Sequence, residues 1–200
     1  MAKQIILIHG GNTFEKYGDY LKFLKTLEPS LDYLKKKSWK DSLQDKLGDG
    51  FDVIQMQMPN KLNSKYKEWK IYFDKYATLF NNEVILIGHS LGGIFLAKYL
   101  SENKFPKKIT AAFLLSAPYE DKGMKESLGD FNLPGNLDNF SKQSDKILIY
   151  QSEDDTIVPV EHSRKYKRQL PNSELILLKN RGHLNQLEFP EIIEDIKKLS

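Results

Sequence analysis

The chain has no cysteine among its 200 residues. It can therefore form no disulfide, and it offers neither a thiolate nucleophile nor a cysteine-ligated metal site. It also lacks any uncharged apolar run approaching the roughly 20 residues that span a bilayer. Ile5-Ile6-Leu7-Ile8 is too short for a secretory h-region, and no small-residue cleavage site follows it. A cytoplasmic location and no membrane partner are the expectations. Nor is there much excess of either charge: 30 basic residues face 27 acidic ones, a net charge of +3. Nucleic-acid binding needs a larger excess gathered on one surface. The clusters Lys35-Lys36-Lys37 and Arg164-Lys165-Tyr166-Lys167-Arg168 read as solvated faces. The glycines form neither G-x-G-x-x-G nor a Gly-Lys-Ser/Thr ending, which argues against a nucleotide cradle.

What is present is a globular composition, 40% hydrophobic and 28% charged. Two hundred residues fit one domain, 1–200, with no repeat, low-complexity tract or linker to divide it. Short apolar runs at 5–8, 53–56, 84–87, 111–115, 147–150 and 175–178 read as strands. Most lack polar alternation, which predicts burial on both faces of a parallel sheet. Helical patterns lie between them, at 17–27, 38–47, 160–170 and 188–199. Two more are the nearly all-apolar 91–100 and the stripe Tyr66, Trp69, Phe73, Tyr76 and Phe80. This alternation predicts an open α/β sheet with right-handed crossovers. The connection 116–145 carries Pro118, Gly123, Gly129, Pro134 and Gly135. It is either a short cap over the sheet edge or a plain surface excursion.

The most informative segment is Gly88-His89-Ser90-Leu91-Gly92, a G-x-S-x-G pentapeptide where a strand should turn sharply into a helix. Gly88 and Gly92 leave room for strand and helix to pack closely while Ser90 projects from the crest. A serine hydroxyl needs an imidazole to take its proton. Of four histidines, His9 follows the first strand and reads as a turn shaper. His89 is adjacent to Ser90, where side chains diverge, and His162 reads as an exposed helix residue. His183 follows the last strand, at the same sheet end as Ser90, and is the expected base. The acid that orients it should come from Glu153-Asp154-Asp155 after the fifth strand, with Asp155 preferred and Asp154 the alternative. Two backbone N–H groups should receive an oxyanion. One is Leu91, at a helix start; the other is Gly11 or, second, Asn12, after the first strand.

Together, His9-Gly10-Gly11, the pentapeptide, Asp155-Thr156-Ile157-Val158-Pro159 and Gly182-His183 resemble a serine hydrolase of the α/β-hydrolase superfamily, in the order Ser, Asp, His. The resemblance runs from Ile5 to the final helix. It is similar to the small, cap-poor hydrolases that include the retinoblastoma-binding serine hydrolase group. It implies a three-layer sandwich with a six-stranded, mostly parallel sheet in the order 2-1-3-4-5-6, lacking two amino-terminal strands of the larger fold. It also implies cleavage of an ester-like bond through an acyl-enzyme, with a small-molecule acyl substrate and no metal or organic cofactor. Esterase, thioesterase, amidase and peptidase chemistry all stay open. Phe14 and Tyr119, with Tyr17, Pro118 and Phe131, are the candidate substrate-lining aromatics and neighbours. The rival reading is a binding or adaptor protein that keeps the fold without turnover.

Overall fold

The computed structural model describes residues 2–199. Six strands form one sheet in the order β2-β1-β3-β4-β5-β6: β1 Lys3–Ile8, β2 Phe51–Met56, β3 Glu83–His89, β4 Lys108–Leu115, β5 Ile147–Ser152 and β6 Glu174–Leu178. All five pairings are parallel. This is the expected strand order. The helices are α1 Tyr17–Thr26, α2 Leu31–Lys35, α3 Leu43–Leu47, α4 Tyr66–Ala77, α5 Leu91–Glu102, α6 Asp138–Gln143, α7 Val160–Gln169 and α8 Pro190–Lys197.

The three layers follow from side-chain alternation along the strands. Ile6 and Ile8 face a core shared with α4, α5 and α6, whereas Ile5 and Leu7 face a second core built from Trp39, Leu43, Phe189 and Ile192. Both faces of β1, β3, β4 and β5 are thus covered. The edge strands β2 and β6 are only half-buried, because no strand protects their outer side.

Several expectations shift. The helix expected at 38–47 is a 3-10 turn at Trp39–Ser42 leading into α3. The buried stripe of α4 is Tyr66, Trp69, Phe73 and Ala77, while Tyr76 lies outside it and packs at a tilt on Tyr72. Two helices, α2 and α6, lie outside the expected set. The 116–145 connection divides in two. Its first part, through Leu128, runs along the carboxyl end of the sheet; Phe131, Leu137 and Phe140 then drive the remainder into the core beside α5.

Candidate active site

Ser90 joins β3 directly to α5 with φ +54° and ψ −122°. A non-glycine residue in that region costs about 1–3 kcal/mol and persists only where its surroundings over-determine it. Here they do. The Ser90 N–H donates to the Leu115 carbonyl at 2.8 Å, and the Ser90 carbonyl accepts from Gly93 N–H at 2.8 Å. A Cβ at Gly88 would lie 2.4 Å from the Gly92 carbonyl oxygen, and one at Gly92 would lie 2.4 Å from that of Ile8. Only glycine lets β1, β3 and α5 meet this closely.

The loop after β1 passes beside the serine. A Cβ on Gly10 would come within 3.0 Å of Ser90 Cβ, while Gly11 is pressed against the Lys61 carbonyl. His9 is the turn shaper expected of it. Its Nδ1–H donates to the Gly10 carbonyl at 2.6 Å, and its Nε2 accepts from Met58 N–H at 3.0 Å. The Asn12 N–H donates to the Lys61 carbonyl at 3.0 Å. That bond takes Asn12 out of contention as an oxyanion donor. Leu91 N–H, at the first position of α5, has no acceptor within its helix.

His183 follows β6 and turns its Nδ1–H onto Asp155 Oδ2 at 2.9 Å. That bond leaves the ring lone pair on Nε2, the nitrogen a base would use. The Asp155 side chain is fully buried and also accepts from Gln151 Nε2 (3.0 Å), Ile157 N–H (2.9 Å) and Val158 N–H (3.0 Å). Burial pushes the Asp155 carboxyl up. The hydrogen bond from His183, with those from the Val158 and Ile157 N–H groups, outweighs it and holds the group below the usual carboxylate range. Asp154 does something else: it accepts from Ser152 Oγ and from the N–H groups of Arg181 and Gly182, so it carries the loop rather than the imidazole. The Ser90 Oγ–His183 Nε2 hydrogen bond is not formed in this structure, although both residues line one cleft of about 770 Å³.

Three residues matter more here than the sequence suggested. His89 diverges from Ser90, as expected, but its Nε2–H donates to the His183 carbonyl at 2.8 Å and its ring lies 5.0 Å from that of His183. Burial pushes its pKa well below the usual value, helped by the positive charge of Lys40, so His89 is a neutral strut. Gln151 props Asp155 and also donates to the Val158 carbonyl at 2.9 Å. His162, expected on the surface, is buried. Its Nδ1 accepts from Tyr119 N–H at 2.8 Å and its Nε2–H donates to the Lys122 carbonyl at 3.0 Å. The backbone of 119–122 folds over a helix whose sequence looks solvent-facing.

The expected substrate wall is also corrected. Phe14 and Tyr119 are not among the residues lining the cleft: Phe14 packs on Tyr20 and Phe23, and Tyr119 on Tyr166. Phe131 is core and Tyr17 faces outward, leaving Pro118 as the one candidate of the five that lines the cleft. Among the described residues, no group of three or more histidine, aspartate or glutamate side chains is placed to hold a metal ion. No helix among them is long and apolar enough to cross a membrane.

The fold recurs in solved structures. The ydeN gene product of Bacillus subtilis superposes with a TM-score of 0.78 at 18% identity, covering 99% of this chain and 98% of that one. A meta-cleavage product hydrolase from Pseudomonas fluorescens IP01 gives 0.68 at 13% identity over 100% and 92%. A lipase-esterase related protein from Clostridium acetobutylicum gives 0.63 at 14% over 99% and 94%. In sequence, YdeN of Bacillus subtilis (strain 168) is 24% identical over 193 residues, 92% of this chain and 86% of that protein. The family model described as serine hydrolase matches residues 28–192, a span that holds Ser90, Asp155 and His183 and well over half of the chain. With an α/β-hydrolase sheet beneath those residues, the chain belongs to the serine hydrolase family.

Proposed function

We propose that the protein hydrolyses a small ester-like substrate, carboxylic ester or thioester, through an acyl-enzyme on Ser90. The observation that carries this reading is the His183–Asp155 bond at 2.9 Å beside a serine held at φ +54°. Ser90 Oγ attacks the acyl carbon as His183 Nε2 takes its proton, the two closing to bonding distance as the acyl group seats. Asp155 keeps the ring in the tautomer with Nε2 free and stabilises the imidazolium. Leu91 N–H and Gly11 N–H receive the oxyanion; Asn12 is removed from that role because its N–H is already engaged. His183 then returns the proton to the leaving group and activates water for deacylation.

Within the superfamily we place the enzyme among the small, cap-poor hydrolases such as the retinoblastoma-binding group, acting in the cytoplasm on a soluble acyl compound. Ser90 is only half-buried and opens onto the cleft, which leaves it reachable from solvent.

A fluorophosphonate probe tests the assignment, together with hydrolysis of p-nitrophenyl acetate and butyrate. The wild-type protein is expected to label and to turn over both esters. Ser90→Ala should lose labelling entirely and at least about 10³-fold in turnover. Equal labelling or equal rates in the variant would return the protein to the binding or adaptor reading.

A further inference from the structure

The cleft that holds Ser90 and His183 is rimmed by five lysines: Lys36, Lys37, Lys40, Lys61 and Lys125. Among the described residues none of the five is paired with a carboxylate, whereas lysines elsewhere bridge Glu83, Glu102 and Glu188. Two acids on the rim, Asp41 and Glu126, offset only part of this charge, and neither bridges one of the five lysines. Asp41 accepts from Ser38 N–H at 2.7 Å and from Ser38 Oγ, and Glu126 accepts from Asn12 Nδ2 at 3.0 Å.

Lys40 and Lys61 lie on separate segments that the fold brings to one side of the cleft. Lys40 reaches Asn185 Oδ1, two residues beyond His183, at 2.9 Å, and its ammonium sits 5.7 Å from the Trp39 ring centre. The carbonyl of Lys61 is the acceptor that pins Asn12 behind the oxyanion loop. Burial pushes the Lys40 ammonium down to about 8, and the charge of Lys61 pushes the same way while Asp41 opposes it. His9 and His89, flanking the serine, are depressed first by burial and then by the charges of these same two lysines. Unpaired like charges crowded into a walled cleft oppose the folded state, and they focus a positive field on the reacting centre. A ligand of opposite charge relieves both effects.

Building on the hydrolase reading above, we propose that the natural substrate is an ester or thioester bearing a carboxylate. In this arrangement Lys40 and Lys61 receive the carboxylate while Ser90 attacks the acyl carbon. Lys36, Lys37 and Lys125 attract the anion to the mouth of the cleft. No covalent step is added to the reaction; the lysines act on binding and orientation.

The test compares matched esters. One pair is 4-acetoxybenzoate and its methyl ester, with the charge on the leaving side. The other is 4-nitrophenyl hydrogen adipate and 4-nitrophenyl methyl adipate, with the charge on the acyl side. At least one carboxylate member should exceed its neutral partner about tenfold in kcat/KM, chiefly through KM. The preference should collapse in 0.5 M salt, since exposed charge attraction is screened there. Lys61→Met, at an exposed position, and Lys40→Met should each reduce the charged-to-neutral ratio several-fold, whereas Lys104→Ala, remote from the cleft, should not.

Parity between charged and neutral esters, or a preference indifferent to both lysine substitutions, overturns the proposal while leaving the hydrolase reading intact. Absence of any Ser90-dependent hydrolysis overturns both. As a readout free of turnover, adipate should quench the Trp39 fluorescence of Ser90→Ala saturably, and lose that effect in Ser90→Ala/Lys61→Met. Failure to quench in Ser90→Ala counts against the proposal.

Discussion

The β3–α5 junction and the segment carrying α1 and α2 border the same cleft, yet they are built in opposite ways. At the junction every position from Gly88 to Gly93 except Ser90 is buried, and all three glycines, Gly88, Gly92 and Gly93, lack room for a methyl group. In the other segment α1 and α2 bury no residue at all, and Leu31, Tyr33 and Leu34 of α2 are more than 70% exposed. The first arrangement fixes the reacting atom against many backbone constraints. The second leaves Tyr33, Leu34, Lys36 and Lys37 on the rim with little to hold them. On the function proposed above, chemistry falls on the rigid side and substrate selection draws on the loose side, where residues can change at small cost to folding.

The sharpest way to break this contrast is Gly92→Ala. The added Cβ would meet the Ile8 and His9 carbonyl oxygens at 2.4 and 2.7 Å, and backbone cannot move aside as a flexible side chain can. A loss of about 3 kcal/mol, at the upper end for overpacking, is expected in denaturant melts. An unchanged midpoint would mean that the junction is looser than its geometry implies.

Acid should probe the same rigid side more gently. His89 and His162 are buried and neutral, with pKa values pushed below their usual 6.5 by burial. The unfolded chain therefore binds more protons than the native one below about pH 6.5. Stability falls as pH drops through that window, by at most about 1.4 kcal/mol per pH unit for each histidine. Asp155, held below the usual carboxylate range, adds its loss only in stronger acid. Thermal melts between pH 7 and 5 should show the decline, and His162→Gln should flatten it. A flat wild-type profile would contradict the buried-neutral description.

On the loose side, Leu34→Ser should change the unfolding free energy by no more than about 0.5 kcal/mol, because the residue is 78% exposed. Its effect should appear in KM for longer acyl esters rather than in kcat. A large stability loss would show that α2 is anchored after all.

The same division governs what could be read from the sequence. The buried strands are legible because a strand covered on both faces must be apolar at nearly every position, as residues 84–87 and 111–115 are. Ser90, Asp155 and His183 are legible because each follows a different strand, and parallel strands all end on one side. Residues whose role depends on what folds over them are not legible. His162 sits in Val-Glu-His-Ser-Arg-Lys-Tyr-Lys, a surface-like helix, and only the 119–122 backbone makes it interior. His89 could be excluded as the base from its neighbour, but not recognised as the strut beneath His183. Lys40 and Lys61 are 21 residues apart on separate segments, with no periodicity to announce that they line one cleft. Phe14 and Tyr119 misled for the complementary reason: aromatic residues near strand ends find aromatic neighbours before they find substrate.

The central claim is that residues 90, 155 and 183 work as one relay. A crystal structure of the adduct formed with a fluorophosphonate tests it most directly. The account predicts phosphorus bonded to Ser90 Oγ, His183 Nε2 within about 3.2 Å of that oxygen, and the phosphoryl oxygen held by Leu91 and Gly11 N–H. An adduct on another residue, or an imidazole that stays out of reach with the site loaded, would contradict it.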